Sequence, residues 1–161
     1  MAITRKKKLL ITAGPTREML DPVRFISNLS TGEMGYALAE TAKKKYDVTL
    51  ISGPTALKPP KGIRYIAIES AKDLQKALSR TFLRHDILVM SAAVCDFTAA
   101  HASREKIRRT KVARFVLKRT PDILAGVAKK KGRRLVIGFC LETQNWIANG
   151  KRKLKKKGLD G

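Results

Sequence analysis

One run of residues constrains the fold more than any other feature of this sequence. From Asp86 to Val94 the chain reads Asp-Ile-Leu-Val-Met-Ser-Ala-Ala-Val, so its apolar residues are nearly continuous and do not alternate with polar ones. Such a run is typical of a strand in the middle of a parallel sheet, because helices cover both faces of that strand. The sequence therefore predicts a parallel sheet between two layers of helices.

Other segments alternate between strand and helix patterns. Short apolar runs that end in Gly, Pro or polar residues predict strands, and apolar residues spaced three or four apart predict helices. The predicted strands are 8–12, 46–51, 63–68, 86–94 and 135–139. The predicted helices are 31–45, 70–83, one that begins at 120, and 145–157. Residues 111–117 alternate weakly, which is typical of an outlying strand or a small flap around residues 98–118. The order indicates an α/β fold.

Three helices are expected to begin at side chains that cap their first turn. The predicted caps are Ser30 or Thr31 for the first helix, Ser70 with Asp73 for the second, and Thr120, followed by Pro121, for the third.

Length and composition indicate one globular domain over residues 1–161. The chain has 161 residues, and 43% of them are hydrophobic. It contains no apolar run near the roughly 20 residues that span a bilayer, so no membrane contact is expected. The basic N-terminus precedes an apolar run too short for a signal peptide. Cys95 and Cys140 lack metal-ligand spacing. We expect a cytoplasmic protein.

The net charge of +22 is unevenly distributed. Residues 1–100 hold 16 Lys or Arg against 9 Asp or Glu, a net charge of +7, whereas residues 101–161 hold 19 against 4, a net charge of +15. Such a surface attracts nucleotides, phosphorylated metabolites and nucleic acid. A lysine-rich but non-binding surface explains the same composition, so charge alone does not choose between them.

A loop of unusual length separates the first strand from the first helix. About 18 residues connect them, where two to six are usual. Small residues at a helix N-terminus form a ready anion site, and ligands of open parallel sheets bind beyond the carboxyl ends of the strands. The pattern predicts an anion loop, and a purely structural loop is the alternative. Its candidate residues are Gly14, Thr16, Arg17, Ser30, Thr31 and Gly32.

Further candidates follow later strands. Asp96 comes after the central strand, where a carboxylate can bind a ribose hydroxyl, an amine or a metal, or simply cap a turn. Phe139 could stack on a base or belong to the core. Lys106 lies in a basic stretch that is either a phosphate clamp or a solvated turn. Lys153 and Lys157, spaced i,i+4, share one helical face and suit a polyphosphate.

A set of short motifs runs through nearly the entire chain in a fixed order. The motifs are Gly14-Pro15-Thr16-Arg17-Glu18, Asp21-Pro22-Val23-Arg24, Ile26-Ser27-Asn28, Ser30-Thr31-Gly32, Ser52-Gly53-Pro54, Ala92-Ala93-Val94 with Asp96-Phe97, Lys106-Ile107, Thr120 to Leu124, Gly138-Phe139 with Glu142-Thr143, and Lys153 to Asp160. Together they resemble the phosphopantothenate–cysteine ligase domain of the DNA/pantothenate metabolism flavoprotein family. The resemblance implies a Rossmann-like fold.

The resemblance also implies an activity, a step of coenzyme A synthesis. Members of the family join 4′-phosphopantothenate to cysteine through an acyl-nucleotidylate, with release of pyrophosphate. Bacterial members use CTP and eukaryotic ones typically use ATP, in both cases with Mg²⁺; for this chain CTP is favoured. No flavin is expected, because the flavin-binding decarboxylase half of the bifunctional members is absent from this sequence. A homodimer and a separate decarboxylase partner are further expectations.

Individual positions match the site residues of the family, and none of them identifies a metal ligand. Asn28 and Lys106 match catalytic positions. The matches to nucleotide-binding positions are Met90, Ser91, Ala92, Asp96, Pro121, Asp122, Ile123, Leu124, Phe139, Lys153 and Lys157.

The sequence departs from the family after Asp160, where the family continues with a strand and an asparagine-bearing segment and this sequence has Gly161. We therefore expect a ligase-type domain without that segment and with impaired activity if the segment is required. A nucleotide-binding homologue without catalysis is the alternative. A nucleic-acid-binding protein ranks third, because only 6% of residues are aromatic and no nucleic-acid-binding motif is present; only non-specific binding is expected.

Overall fold

The computed structural model describes residues 5–109 and 114–161. In chain order its elements are β1 (Lys8–Ala13), β2 (Arg17–Met19), β3 (Phe25–Ser27), α1 (Glu33–Ala42), β4 (Asp47–Ser52), β5 (Arg64–Ala67), α2 (Ala71–Thr81), a 3₁₀ turn (Phe82–Arg84), β6 (Ile87–Met90), β7 (Phe97–Ala99), β8 (Leu117–Arg119), α3 (Ile123–Ala128), β9 (Leu135–Gly138) and α4 (Trp146–Lys157). Among these, no helix is long and apolar enough to cross a bilayer.

The main sheet has five parallel strands in the order β5–β4–β1–β6–β9. β4 and β5 lie on one side of β1, and the later strands β6 and β9 lie on its other side, so the strand order reverses at β1. That reversal is typical of Rossmann-like folds, and it opens a crevice at the carboxyl ends of β1 and β6. The prediction of a Rossmann-like parallel sheet is confirmed.

Helices cover both faces of this sheet, as predicted. Side chains of a strand alternate between its faces, so Ile11 joins Tyr36 and Ala39 of α1 in one buried cluster. Leu10 points to the opposite face and joins a second cluster with residues of α2 and α3. Leu74 of α2, in that second cluster, is fully buried. Burying a leucine side chain contributes about 1.5–3 kcal/mol, so the two clusters hold the helices on the sheet.

One of the predicted helix caps is confirmed. At the start of α2 the Asp73 N–H donates to Ser70 Oγ at 3.2 Å, and the Ser70 N–H donates to Asp73 Oδ2 at 3.2 Å. This is the reciprocal capping box that the two residue types predict.

The predicted cap of α3 is wrong. At α1 the N-cap is Gly32, although the Thr31 hydroxyl accepts the N–H of Glu33, the first helical residue, at 3.3 Å. Gly32, with φ of 84°, precedes α1 and caps it without a side chain, because the chain enters this helix in a left-handed conformation that glycine adopts most easily. At α3 the cap is Asp122, whose Oδ1 accepts the Ala125 N–H at 3.0 Å. Thr120 does not cap because its hydroxyl donates to the Cys95 carbonyl oxygen at 2.6 Å.

Two of the predicted strands differ from the observed ones by more than two residues at one end. The central strand ends at Met90. Beyond it, pairing continues only through an isolated bridge in which the Ala93 N–H donates to Gly14 O at 2.9 Å and Ala93 O accepts the Thr16 N–H at 3.1 Å. Antiparallel β7 and β8 form the base of the predicted flap. In the predicted strand 111–117, only Leu117 is in β8, and residues 111–113 lie outside the described part of the chain.

Gly53 allows the loops after β1 and β4 to meet at the crevice. Its N–H donates to the Ala13 carbonyl oxygen at 3.0 Å. A Cβ atom at position 53 would lie 1.8 Å from the carbonyl oxygen of Pro15, well inside van der Waals contact. The loop after β4 can therefore pack against the loop after β1 only if residue 53 has no side chain.

We predict that Gly53→Ala lowers the free energy of unfolding by about 3 kcal/mol, the upper range for overpacking, because backbone must move. Urea unfolding followed by circular dichroism measures this loss. Gly126→Ala is the matched control: its Cβ would meet nothing within 4 Å in α3, and we expect it to stabilise the protein by about 0.5–1 kcal/mol. Equal urea midpoints for Gly53→Ala and the unsubstituted chain would contradict this account.

Candidate functional site

The crevice where the strand order reverses is bordered by small residues. Gly14, with φ of 69°, follows β1, and Gly32 precedes α1. A Cβ atom on Gly35 would lie 2.4 Å from Cβ of Ala13. Because Gly35 has no side chain, the first turn of α1 can lie directly against the end of β1. The backbone N–H groups at the start of a helix form a ready anion site.

The long loop after β1 is a folded hairpin of β2 and β3. Thr16 is fully buried, and its Oγ1 accepts the Cys95 N–H at 3.0 Å. The Arg17 guanidinium lies over the Phe25 ring, 4.6 Å from its centroid, and 3.7 Å from the Glu69 carboxylate. Of the predicted anion-loop residues, Thr16 and Arg17 therefore bind other protein groups.

Asn28, the first predicted catalytic residue, follows β3 directly. Its exposed side chain donates from Nδ2 to the carbonyl oxygen of Ala93, just beyond β6, at 3.2 Å. The Ser30 N–H donates to the Asn28 carbonyl oxygen at 2.9 Å, and exposed Thr31 follows. The Asn28 amide therefore lies at the crevice, between the ends of the hairpin and of β6.

The predicted residues at the end of β6 hold the crevice together through their backbone. Met90 is buried, and its carbonyl oxygen accepts the Phe139 N–H at 3.2 Å. The Ser91 hydroxyl donates to the Thr12 carbonyl oxygen at 2.6 Å, and the Ala92 N–H donates to Thr12 Oγ1 at 3.2 Å. These contacts tie the ends of three adjacent strands to each other.

A cleft of about 280 Å³ lies between the end of β9, α3 and α4. Four of the predicted nucleotide-binding residues line it: Leu124, Phe139, Lys153 and Lys157. The side chain of Phe139 is 51% exposed, so the core alternative for this residue is wrong. An exposed aromatic ring can stack on a base, since every base offers a π-face.

Other predicted nucleotide-binding residues lie around this cleft with different surroundings. Asp96 and Pro121 are exposed. Ile123 is 5% exposed and belongs to the core, so its side chain is not open to a ligand.

Each lysine of the cleft is paired with a carboxylate. Lys153 forms an ion pair with Glu142, and Lys157 Nζ lies 3.0 Å from Asp122 Oδ2. The hydrogen bond to Lys153 lowers the pKa of Glu142, and the same bond raises the pKa of Lys153. Burial raises the pKa of Asp122, but hydrogen bonds from Ala125 and Lys157 outweigh it and lower that pKa. The ammonium groups are thus held in place, and a polyphosphate would compete with carboxylates for them.

Lys106, the second predicted catalytic residue, is exposed and lies beside the β2–β3 hairpin. The next N–H in the chain, that of Ile107, donates to Asp21 Oδ2 at 3.1 Å. Asp21 is 1% exposed. Burial raises its pKa, but hydrogen bonds from Val23, Ile107 and Arg24 outweigh it and lower the pKa to about 2. The sequence reasoning did not select Asp21 or Arg24 as site residues, although an Asp before Pro in a loop signals a turn.

Three further observations concern residues and cavities outside the predicted site. Cys95 is buried, and burial raises the pKa of its thiol, so it stays protonated and is a poor nucleophile. Within residues 5–109 and 114–161, no three His, Cys, Asp or Glu side chains gather into a metal cage. A larger groove of about 1230 Å³, along β5 and α2, contains none of the predicted site residues.

Comparisons with known proteins show the family of this chain. Residues 4–161 match the family described as DNA/pantothenate metabolism flavoprotein C-terminal domain. The coenzyme A biosynthesis bifunctional protein CoaBC of Bacillus subtilis is 44% identical over 157 residues, 96% of this chain and 39% of its own length. CoaBC of Borreliella burgdorferi is 41% identical over 161 residues, 97% of this chain and 41% of its own length. The chain thus spans about two fifths of these curated relatives.

Solved structures show the same fold. The C-terminal domain of a CoaBC protein superposes with a TM-score of 0.86 and 39% identity, covering 97% of this chain and 75% of that one. A variant of Cab2 in complex with phosphopantothenate-cysteine has a TM-score of 0.81 at 17% identity, covering 98% of this chain and 72% of that one, so it shares the fold. On the match over residues 4–161 and the identity to CoaBC proteins, the chain belongs to the DNA/pantothenate metabolism flavoprotein C-terminal domain family.

Proposed function

We propose that this chain is the phosphopantothenate–cysteine ligase of coenzyme A synthesis and that it uses CTP. The observation that carries the proposal is the cleft at the carboxyl edge of the sheet, where an open aromatic ring, Phe139, lies beside two ammonium groups on one face of α4. A nucleoside triphosphate has the matching chemistry, a base to stack and phosphates to pair. The identity to CoaBC proteins supports the assignment of the reaction.

The proposed reaction has two group transfers. A carboxylate oxygen of 4′-phosphopantothenate attacks the α-phosphorus of CTP, the bond to the β-phosphate oxygen breaks, and pyrophosphate leaves with that electron pair. The amine of cysteine then attacks the acyl carbon of the acyl-cytidylate, loses a proton, and expels CMP. Both steps bring anions together, so positioning and charge stabilisation supply most of the acceleration.

The residues divide between these tasks. Lys153 and Lys157 hold the triphosphate by exchanging their carboxylate partners for phosphate oxygens. Lys106 is proposed to stabilise charge on the leaving pyrophosphate. Asn28, whose amide is fixed by Ala93 O at 3.2 Å, is proposed to hold the acyl-nucleotidylate while the amine attacks.

Mg²⁺ fits this proposal as a companion of the nucleotide. Mg²⁺ at nucleotide sites is held mostly by phosphates and water, with one or two carboxylates from the protein. When bound it would neutralise phosphate charge, and the described residues supply single carboxylates near the cleft, such as Asp96. A homodimer and a separate decarboxylase partner belong to the same proposal. The curated relatives are bifunctional proteins of greater length, which supports a second activity beside the ligase.

We predict that the purified chain releases one pyrophosphate per phosphopantothenoylcysteine when given phosphopantothenate, cysteine, Mg²⁺ and CTP, and that ATP supports slower turnover. Coupled detection of pyrophosphate measures the rate. With ¹⁸O in the substrate carboxylate, mass spectrometry should find one ¹⁸O in CMP. No turnover with either nucleotide would leave a binding homologue as the better description, and ¹⁸O in inorganic phosphate would rule out the acyl-nucleotidylate.

We predict that Asn28→Ala slows product formation about 100-fold, the cost of losing one well-placed donor at a reacting group, while the affinity for CTP changes less than about threefold. Calorimetric titration gives the affinity, and single-turnover kinetics give the rate. Gln75→Ala is the control, because it removes an exposed side-chain amide from α2. Its rate of product formation and its affinity for CTP should equal those of the unsubstituted chain. Normal turnover by Asn28→Ala would refute the role of this residue.

A further inference from the structure

The backbone on both sides of Ile107 is held by one pair of charged side chains. The Ile107 N–H donates to Asp21 Oδ2 at 3.1 Å, and the Ile107 carbonyl oxygen accepts from Arg24 Nη1 at 3.1 Å. The same Nη1 lies 2.5 Å from Asp21 Oδ2. We call Asp21, Arg24 and the backbone of Ile107 the Ile107 clasp.

The clasp holds two successive peptide planes. The N–H belongs to the peptide that joins Lys106 to Ile107, and the carbonyl belongs to the peptide that joins Ile107 to Arg108. Since each peptide group is planar, fixing both of them restricts φ and ψ of Ile107 and places the Cα atom of Lys106, which lies in the first plane. On the other side of Lys106, the Glu105 carbonyl oxygen accepts from Ser103 Oγ at 2.7 Å. The peptide planes on both sides of Lys106 are therefore held, and together they set the direction in which its side chain leaves the chain.

Asp21 is itself built into the turn between β2 and β3. Its Oδ1 accepts the N–H groups of Val23 and Arg24, each at 2.7 Å, while Oδ2 is left for the clasp. Its side chain is fully removed from solvent. Both carboxylate oxygens are thus in use, and an amide in their place would turn one acceptor into a donor that faces the Ile107 N–H.

A second contact fixes the same segment. The Ser103 N–H donates to the carbonyl oxygen of Leu20 at 2.8 Å, one residue before Asp21. The segment from Ser103 to Ile107 is thereby attached to the tip of the hairpin at both of its ends. From that tip, β3 leads directly to Asn28, which is attached to Ala93.

We propose that the Ile107 clasp is a positioning device that sets Lys106 relative to Asn28, with Asp21 and Arg24 as positioning residues. This rests on the proposed function, in which Lys106 and Asn28 act on the same substrate. The hairpin is the common frame: one end carries Asn28 and the other end carries the clasp. Displacing a reacting group by about 1 Å costs up to about 100-fold in rate, so the clasp contributes to kcat and not to nucleotide affinity.

Hydrogen exchange tests whether the clasp exists in solution, independently of any activity. In the full chain, NMR should show a protected Ile107 amide, and Asp21→Asn should lose at least about tenfold of that protection. Arg24→Lys is a second variant, for use if Asp21→Asn does not fold. It keeps the Asp21 turn and the positive charge but removes the forked guanidinium donor, so it should also lower the protection of the Ile107 amide. Glu40→Gln removes another i,i+3 ion pair, on α1, and should leave Ile107 protected. An unprotected Ile107 amide in the unsubstituted chain would overturn the proposal.

Steady-state kinetics test the positioning role. We expect Asp21→Asn and Arg24→Lys to lower kcat about tenfold or more, with KM for CTP changed less than about threefold. Because the clasp acts through Lys106, adding Asp21→Asn to Lys106→Gln should slow the enzyme no further. A purely structural brace would instead multiply the two losses, and that result would overturn the positioning role.

The two proposals fail in different ways. If the unsubstituted chain makes no phosphopantothenoylcysteine, the proposed function falls and takes the positioning role with it, whatever the exchange data show. If the chain is active but kcat is the same in the clasp variants and in Glu40→Gln, the proposed function stands and the clasp proposal alone is wrong.

Discussion

The site depends on the contact between the ends of β1 and β6. These neighbouring strands belong to opposite halves of the sheet, so their loops diverge and leave a crevice between them. Beyond the strands, Gly14, Thr16 and Ala93 continue the pairing with two backbone hydrogen bonds of 2.9 and 3.1 Å. That extension sets where the β2–β3 hairpin starts and gives Asn28 an acceptor. The hairpin then holds the segment with Lys106.

Electrostatics at the site are arranged in pairs. Lys153 and Lys157 have carboxylate partners in Glu142 and Asp122, although the chain as a whole carries a net charge of +22. An exposed ion pair of this kind contributes little to stability. In the proposed function, the pair fixes the direction of a long, flexible lysine side chain before a phosphate binds. Excess positive charge of this size attracts anions in general, whether or not they are substrates.

Much of the fold follows from sequence patterns, and the parts that do not have identifiable physical causes. The apolar run from Asp86 to Val94 predicted the central strand, because a strand buried on both faces consists of nearly continuous apolar residues. The cap at Gly32 was missed because it depends on a left-handed backbone conformation and not on a side chain. The hairpin within the long loop was missed because its strands have three residues each, too few to show alternation.

The site shows the same division. Short motifs matched eleven residues to nucleotide-binding positions of the family, and four of them, Leu124, Phe139, Lys153 and Lys157, line one cleft. No pattern could indicate the clasp, because Asp21 and Ile107 are 86 positions apart and one partner is backbone. Contacts of that kind are set by how the hairpin and the following segment pack together.

The most direct measurement of the central claim is a crystal structure of the full chain with CTP bound. The account predicts the cytosine beside Phe139 and the phosphates against Lys153 and Lys157, with the contacts to Glu142 and Asp122 lengthened. CTP bound in the larger groove along β5 and α2, with both ion pairs unchanged at the cleft, would contradict it.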